Sequence, residues 1–360
     1  MHTGGIARYA EELANAASRD LGAEVTLLRP VGSGRRAVGS GLVRELAFAG
    51  GTVNRRRPWE LRPALAAVRA ELDAQPYDVV HALDLPSTLV LAMCRRRTRA
   101  RSCAVLSTAH GTDVLFLERA VPVAMRRRLY RGVSYIVTNS EFTAGLLRRA
   151  VPSLAGSQVR VTPLGVDPAF LAGPRGRPAP DGPLKVVSVG RLDPRKGFDL
   201  AIRSVAAADR VAPMTLDIVG ALASDGYDRQ LASLADEVGA RMTLHTDVTD
   251  DVLREMYLSS DVFCLPGARQ ARTVEGFGLA YLEAAAAGLP TIATSIDAVP
   301  EVVADGITGL LSAPGSVAGL TRGLLTLAED PELRRELGAN ARRRAEAFSW
   351  GRCASATYGT

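Results

Sequence analysis

Two carboxylates eight residues apart flank the strongest chemical signal in the chain, Glu275-Gly276-Phe277-Gly278-Leu279-Ala280-Tyr281-Leu282-Glu283. The Gly-x-Gly step frees backbone N–H groups where a helix begins, and a helix N-terminus favours an anionic phosphate. Glu275 lies ahead of that helix and Glu283 about one turn inside it, so the two acids reach different parts of one extended ligand. A glycine loop with one capping acid and one surface acid is the plain structural alternative. A second constellation is Val189-Gly190-Arg191-Leu192-Asp193-Pro194-Arg195-Lys196-Gly197, between an apolar strand and an amphipathic helix. Arg191 stands one residue past a glycine at the strand's carboxyl end. Arginine holds a phosphate with a planar fork and lysine as a point charge. A solvated basic turn is the alternative here. Of 44 Lys and Arg residues only Lys185 and Lys196 are lysines, so Lys196 stands out from an arginine background. His110 and His81 each follow or end an apolar run, where a structural hydrogen-bonding histidine is the plain reading. Asn139-Ser140 with Glu141 reads as a helix cap.

These residues need elements that aim them. Short apolar runs, each bounded by turn residues, predict strands at 24–28, 79–82, 104–108, 135–138 and 158–162. In the second half they predict strands at 185–189, 215–219, 242–245, 262–265, 290–293 and 309–311. Amphipathic stretches between them predict helices at 6–20, 62–75, 140–150, 199–208, 227–238, 250–259, 280–287 and 316–327. Strand and helix in alternation indicate parallel sheets covered on both faces. The segment 171–183, with four Pro, three Gly and no periodicity, reads as a linker between two α/β halves. Residues 331–360 read as helix, Phe348-Ser349-Trp350, and another helical turn. Two doubly wound halves place ligands at the carboxyl ends of their strands, in a cleft between them.

In order and spacing the motifs resemble the retaining, two-Rossmann-domain glycosyltransferases of family 4, also called glycosyl transferases group 1. The resemblance runs through Gly4-Gly5-Ile6-Ala7-Arg8, His110-Gly111-Thr112-Asp113, Asn139-Ser140-Glu141 and Pro163-Leu164-Gly165-Val166-Asp167. It continues through Gly190-Arg191, Arg195-Lys196-Gly197, Glu275 to Glu283 with Ala284 to Pro290, and Gly306-Ile307-Thr308-Gly309. It implies an α/β GT-B fold of two Rossmann-like doubly wound domains facing a cleft. The N-terminal, acceptor-side domain would span 1–168 and a linker 169–183. The nucleotide-sugar domain would span 184–345, and a segment 346–360 would cross back to the first domain.

The resemblance also implies a retaining hexosyltransferase. It would move a hexose from a UDP- or GDP-linked donor to a hydroxyl on a glycolipid, polysaccharide or small metabolite. By similarity Arg191 and Lys196 neutralise the diphosphate, Glu275 holds sugar hydroxyls and Glu283 ribose hydroxyls. The backbone of Gly276, Phe277, Gly278 and Leu279 cradles diphosphate and sugar. Gly5 brings its glycine loop against the donor phosphate, and His110 faces the donor sugar; His81 is a weaker acceptor-side candidate. Departure of the diphosphate leaves positive character on the sugar and negative charge on the leaving group, which preorganised cations and helix N-termini stabilise. Same-face attack guided by the leaving phosphate is favoured over a covalent glycosyl-enzyme. No Asp-x-Asp motif is present, and no metal or other cofactor is expected.

The remaining composition bounds the reading. At 360 residues, 47% apolar and 23% charged, the chain is globular and long enough for two domains. The four cysteines form no CxxC pair, which argues against zinc and disulfide frameworks. There is no long uncharged apolar run and no signal-peptide pattern, so a cytoplasmic protein is expected. Residues 1–165 carry 24 Arg against 13 acids, and the rest carries a net −5. Arg95–97, Arg99, Arg101 and Arg126–128 concentrate the positive charge. That charge suits peripheral contact with an anionic membrane at its inner face, or simply a solvated arginine surface. Aromatics at 5% argue against nucleic acid. One departure concerns the start: the family opens with an apolar strand, whereas Met1-His2-Thr3 runs directly into Gly4-Gly5. The first strand is therefore expected to be missing, through a truncated record or a start set too far downstream. The competing readings are a sugar-nucleotide-binding protein without turnover, and a disaccharide synthase or phosphorylase of the same fold.

Overall fold

The computed structural model describes residues 5–30, 42–46, 61–94, 103–154, 158–172, 182–222 and 226–359. They gather into two compact units, one of Thr3–Gly165 with Trp350–Thr360 and one of Val166–Ser349. The arginine segment 95–101, most of the proline-rich segment 171–183 and the residues ahead of Gly5 lie outside the described residues, and so does the expected missing strand.

The N-terminal unit begins with α1 (Gly5–Leu21), followed by β1 (Thr26–Pro30), β2 (Leu42–Leu46), α2 (Leu61–Ala74) and β3 (Val79–Ala82). Next come α3 (Leu85–Cys94), β4 (Ala104–Thr108), α4 (Gly111–Ala120), α5 (Val123–Leu129), β5 (Tyr135–Thr138), α6 (Glu141–Ala150) and β6 (Val159–Val161). Tyr9, Leu13, Ala16 and Ala17 recur at helical spacing and form the buried stripe of α1. Strands β3-β4-β5-β6 make one parallel sheet and β1-β2 a separate parallel pair. Ser140 caps α6 by accepting the Thr143 N–H at 3.1 Å.

The C-terminal unit runs β7 (Leu184–Val189), α7 (Phe198–Asp209), β8 (Met214–Val219), α8 (Tyr227–Val238), β9 (Met242–His245), α9 (Asp250–Ser259) and β10 (Val262–Leu265). It continues with α10 (Leu279–Ala286), β11 (Thr291–Thr294), α11 (Val299–Val302), β12 (Gly309–Ser312), α12 (Val317–Glu329) and α13 (Pro331–Ala345). Its six parallel strands lie in the order β12-β11-β10-β7-β8-β9. Every residue of β10 and β11 is buried; β10 reads as an unbroken apolar run, and β11 as Ile292-Ala293 between two buried threonines. The chain winds outward from β7 to β9, then returns to the other side of β7 with β10. Ligands of such sheets bind outside the strands' carboxyl ends at that reversal. Phe170, in the turn Pro168–Ala172, packs edge-on against Tyr257 of this unit, with ring centres 5.5 Å apart.

The last helix, α14 (Trp350–Tyr358), belongs to the N-terminal unit. Trp350 lies 6.2 Å from the Tyr9 ring, the Tyr358 hydroxyl meets His81 Nδ1 at 3.0 Å, and the Tyr135 hydroxyl donates to the Thr357 carbonyl.

Candidate active site

The reversal between β7 and β10 carries the two constellations. Past β7 the backbone turns through Gly190 into a single 3-10 turn, Pro194–Lys196, which Asp193 caps by accepting the Arg195 N–H at 2.8 Å. The loop past β10 ties onto this turn. Gly267 N–H donates to the Lys196 carbonyl at 3.1 Å, and Ala268 N–H to the Arg195 carbonyl at 2.8 Å. The Lys196 stem lies over Gly190: a Cβ there would stand 3.4–3.5 Å from its methylene carbons.

Glu275 meets this turn head-on. One oxygen, Oε2, accepts from Lys196 Nζ at 2.6 Å and from Arg195 Nη1 at 2.9 Å, and the three side chains are only 12–14% exposed. Burial alone would raise the Glu275 pKa, but Lys196 and then Arg195 outweigh it and hold the carboxyl below its usual value. The backbone of Glu275 is pinned as well. Its N–H donates to Asp297 Oδ2 at 2.9 Å, and its carbonyl accepts from Ala298 N–H at 3.3 Å. Burial pushes the Asp297 carboxyl up.

Beyond Glu275 the chain passes through Gly276 and Phe277 to Gly278, the N-cap of α10, at φ 91° and ψ 69°. That left-handed geometry suits glycine, and a Cβ would fall 2.4 Å from the Tyr281 ring. Tyr281 is buried and donates to the Leu265 carbonyl at 2.9 Å, which locks the turn against β10. Phe277 is buried against Phe348, and Leu279 opens α10. Glu283, 5% exposed, accepts from the Tyr257 hydroxyl at 3.2 Å. Arg191 stands exposed at the mouth of β7.

The structure thus brings Lys196 and Glu275 together with Arg195, which adjoins Lys196 in sequence and could have been read with it. Asp297 carried no sequence signal, because its contact spans 22 residues and depends on a left-handed backbone. Gly5 and His110 lie in the other unit. Gly5 is exposed at the first turn of α1. His110 occupies the N-cap position of α4 without a side-chain cap bond, and its Nε2 meets the Leu83 carbonyl at 2.9 Å. A carbonyl only accepts, so Nε2 carries the proton, and Nδ1 accepts from the Asn139 amide at 3.4 Å. The Tyr9 ring stands edge-on to His110 at 5.8 Å. Asn139 Oδ1 and Thr138 Oγ1 are buried there without a partner. His81 Nε2 contacts Thr108 Oγ1 at 2.8 Å, and burial with the nearby His110 lowers its pKa to about 3. Among the described residues no cluster of His, Cys, Asp or Glu could hold a metal ion, all four cysteines are free and buried, and no helix is long and apolar enough to cross a membrane.

In chemical terms the C-terminal site is a pair of shielded cations, an internal carboxylate that shares them, and a glycine turn opening a helix. Such a set can exchange its carboxylate for an incoming anion. Sequence comparison agrees with a transferase. The family model described as Glycosyl transferases group 1 matches residues 174–344, and that described as Glycosyltransferase Family 4 matches residues 3–170. The MMP alpha-(1->4)-mannosyltransferase of Mycolicibacterium hassiacum is 32% identical over 240 residues, which are 65% of this chain and 55% of that protein. The match therefore spans little more than half the length of that relative. The phosphatidyl-myo-inositol mannosyltransferase of Mycolicibacterium smegmatis is 28% identical over 96% of this chain and 87% of its own length. In three dimensions the chain resembles Anabaena HepE, solved in complex with UDP-glucose. The TM-score is 0.73 at 20% identity, covering 97% of this chain and 93% of HepE. With two family models laid end to end over two α/β units, each built on parallel strands, this chain belongs to the family 4, group 1 glycosyltransferases of the GT-B fold.

Proposed function

We propose that the protein is a retaining hexosyltransferase that uses a UDP- or GDP-linked sugar and a hydroxyl acceptor. The observation that carries this reading is the Arg195–Glu275–Lys196 cluster beside the Gly276–Gly278 turn. A diphosphate is the ligand whose charge matches two shielded cations and a helix N-terminus together. On donor binding the diphosphate takes over Lys196, with Arg191 closing from the exposed side. Glu275, released from Lys196, turns to the sugar hydroxyls, and Glu283 serves the ribose. As the anomeric bond breaks, Lys196, Arg191 and the α10 N-terminus stabilise the charge that gathers on the diphosphate. For Gly5 and His110, roles on the donor phosphate and sugar rest on the family resemblance alone.

A panel of UDP- and GDP-sugars, screened first by thermal shift and then for donor hydrolysis and transfer, tests the reading. Release of nucleoside diphosphate from one donor supports it, and inertness towards the whole panel refutes it in favour of a binding protein without turnover.

The acceptor reading extends to the surface of the N-terminal unit. On α5, Val123 and Met125 are 57% and 60% exposed beside the exposed Arg127 and Arg128. Arg126 is engaged elsewhere, donating to the carbonyls of Val121, Ala150 and Glu118. An apolar and cationic face of this kind suits peripheral contact with an anionic bilayer. Sedimentation with anionic and neutral vesicles tests it: binding should require anionic lipid and fall with salt, and no binding to either removes the idea.

A further inference from the structure

Asp297 is the one described non-glycine residue whose backbone lies in the left-handed region, at φ 48°. Aspartate tolerates that region better than most residues, yet glycine enters it without a steric penalty. An unfavourable conformation persists where surrounding contacts over-determine it. Here the contact is identifiable. Asp297 follows β11, and its Oδ2 accepts the N–H of Glu275, 22 residues earlier, at 2.9 Å. The next residue completes the clasp, since Ala298 N–H donates to the Glu275 carbonyl at 3.3 Å. Both peptide groups of Glu275 are thereby tied to one loop. Ile296, on the other flank, packs beside Gly267, whose own N–H holds the Lys196 carbonyl. The loop 296–298 therefore braces both partners of the ion pair, the carboxylate through its backbone and the lysine turn through Gly267.

We propose that Asp297 is a positioning residue for Glu275. It fixes the backbone on which the site's carboxylate is mounted, and the left-handed conformation is the geometry that lets its side chain reach that N–H. Its effect on turnover rests on the reading of Glu275 as a donor-contacting group; its effect on the Glu275 backbone does not.

Two substitutions separate this role from mere support of the fold. Asp297→Gly accepts φ 48° without strain and deletes the acceptor, whereas Asp297→Asn keeps an oxygen at the same reach. In D297G the amide hydrogen exchange of Glu275 should quicken about tenfold, the loss of one ordinary hydrogen bond. Under the same conditions kcat should fall about tenfold with a smaller change in donor KM and an unchanged Tm, because a mispositioned group is felt mainly in the transition state. D297N should restore both exchange and kcat. Slow exchange at Glu275 in D297G overturns the contact. Fast exchange with wild-type kcat overturns the positioning role. A wild-type protein that turns over no UDP- or GDP-sugar refutes the functional reading instead, and the exchange measurement then still decides whether Asp297 holds Glu275.

Discussion

Replacing Glu275 by Gln removes the one negative charge that two shielded cations share. At 2.6 and 2.9 Å, each pair is worth about 6 kcal/mol by Coulomb's law at an effective dielectric near 20. Most of that gain offsets the cost of taking three charges out of water, so the direct sum is a ceiling. Removing one partner from a buried pair costs about 3–5 kcal/mol, because the remaining charge stays behind unpaired. With 12–14% exposure some water still reaches the site, and about 3 kcal/mol at neutral pH is the expected loss. Its pH dependence identifies the cause. The folded pKa of Glu275 lies below the ordinary 4.5, so the carboxylate's contribution is complete above 4.5 and vanishes as pH falls through the lowered folded value. The stability gap between wild type and E275Q should therefore be constant down to about pH 5 and close in more acid solution. Urea unfolding, followed by far-ultraviolet circular dichroism across that range, measures it. A gap that stays the same into strong acid, or a variant more stable than wild type at neutrality, would refute the reasoning. The same variant should bind inorganic diphosphate about tenfold tighter by calorimetry, since the anion no longer displaces an internal carboxylate.

Three further outcomes follow from the geometry. Arg191→Ala and Lys196→Ala should each lower donor turnover by about a hundredfold while circular dichroism stays native, as expected for cations aimed at a leaving group. Gly278→Ala should destabilise the C-terminal unit by at least about 2 kcal/mol in urea unfolding, through its φ of 91° and the Tyr281 ring. His81 is held neutral, with a folded pKa of about 3 against 6.5. Its contribution is thus complete above 6.5 and declines as pH falls towards 3, and His81→Gln should flatten that part of the stability profile.

Much of the scaffold was legible because the strands are short, largely apolar runs bounded by turn residues. The strands at 79–82, 104–108, 135–138, 242–245 and 262–265 stand as read, and most others shift by one or two residues. β2 gives no strand signal, since Leu42–Leu46 is only five residues long and sets Arg44 and Glu45 side by side. Helices α3, α4 and α5 were missed too. His110-Gly111 reads as a turn after a strand, yet the chain enters α4 at once. In the candidate site, charge and glycine spacing single out residues but not their partners. The Glu275–Lys196 pair joins segments 79 residues apart, and nothing local shows that one carboxylate oxygen serves two cations. Asp297 lay beyond sequence reading for the same reason, being defined by a dihedral angle and a distant amide.

The place of α14 reverses the usual order of synthesis and folding. Domains generally fold as they emerge, N-terminal first. Here the unit that emerges first draws part of its core, Trp350, Cys353, Ala354 and Thr357, from residues translated after the whole of the second unit. The C-terminal unit can close on the ribosome while the N-terminal one waits with the surface of α1 uncovered. Nascent chains stalled ahead of Trp350 should accordingly protect the second unit from protease before the first. A bulky fusion placed directly on α14 would burden the half of the protein most distant from it in sequence.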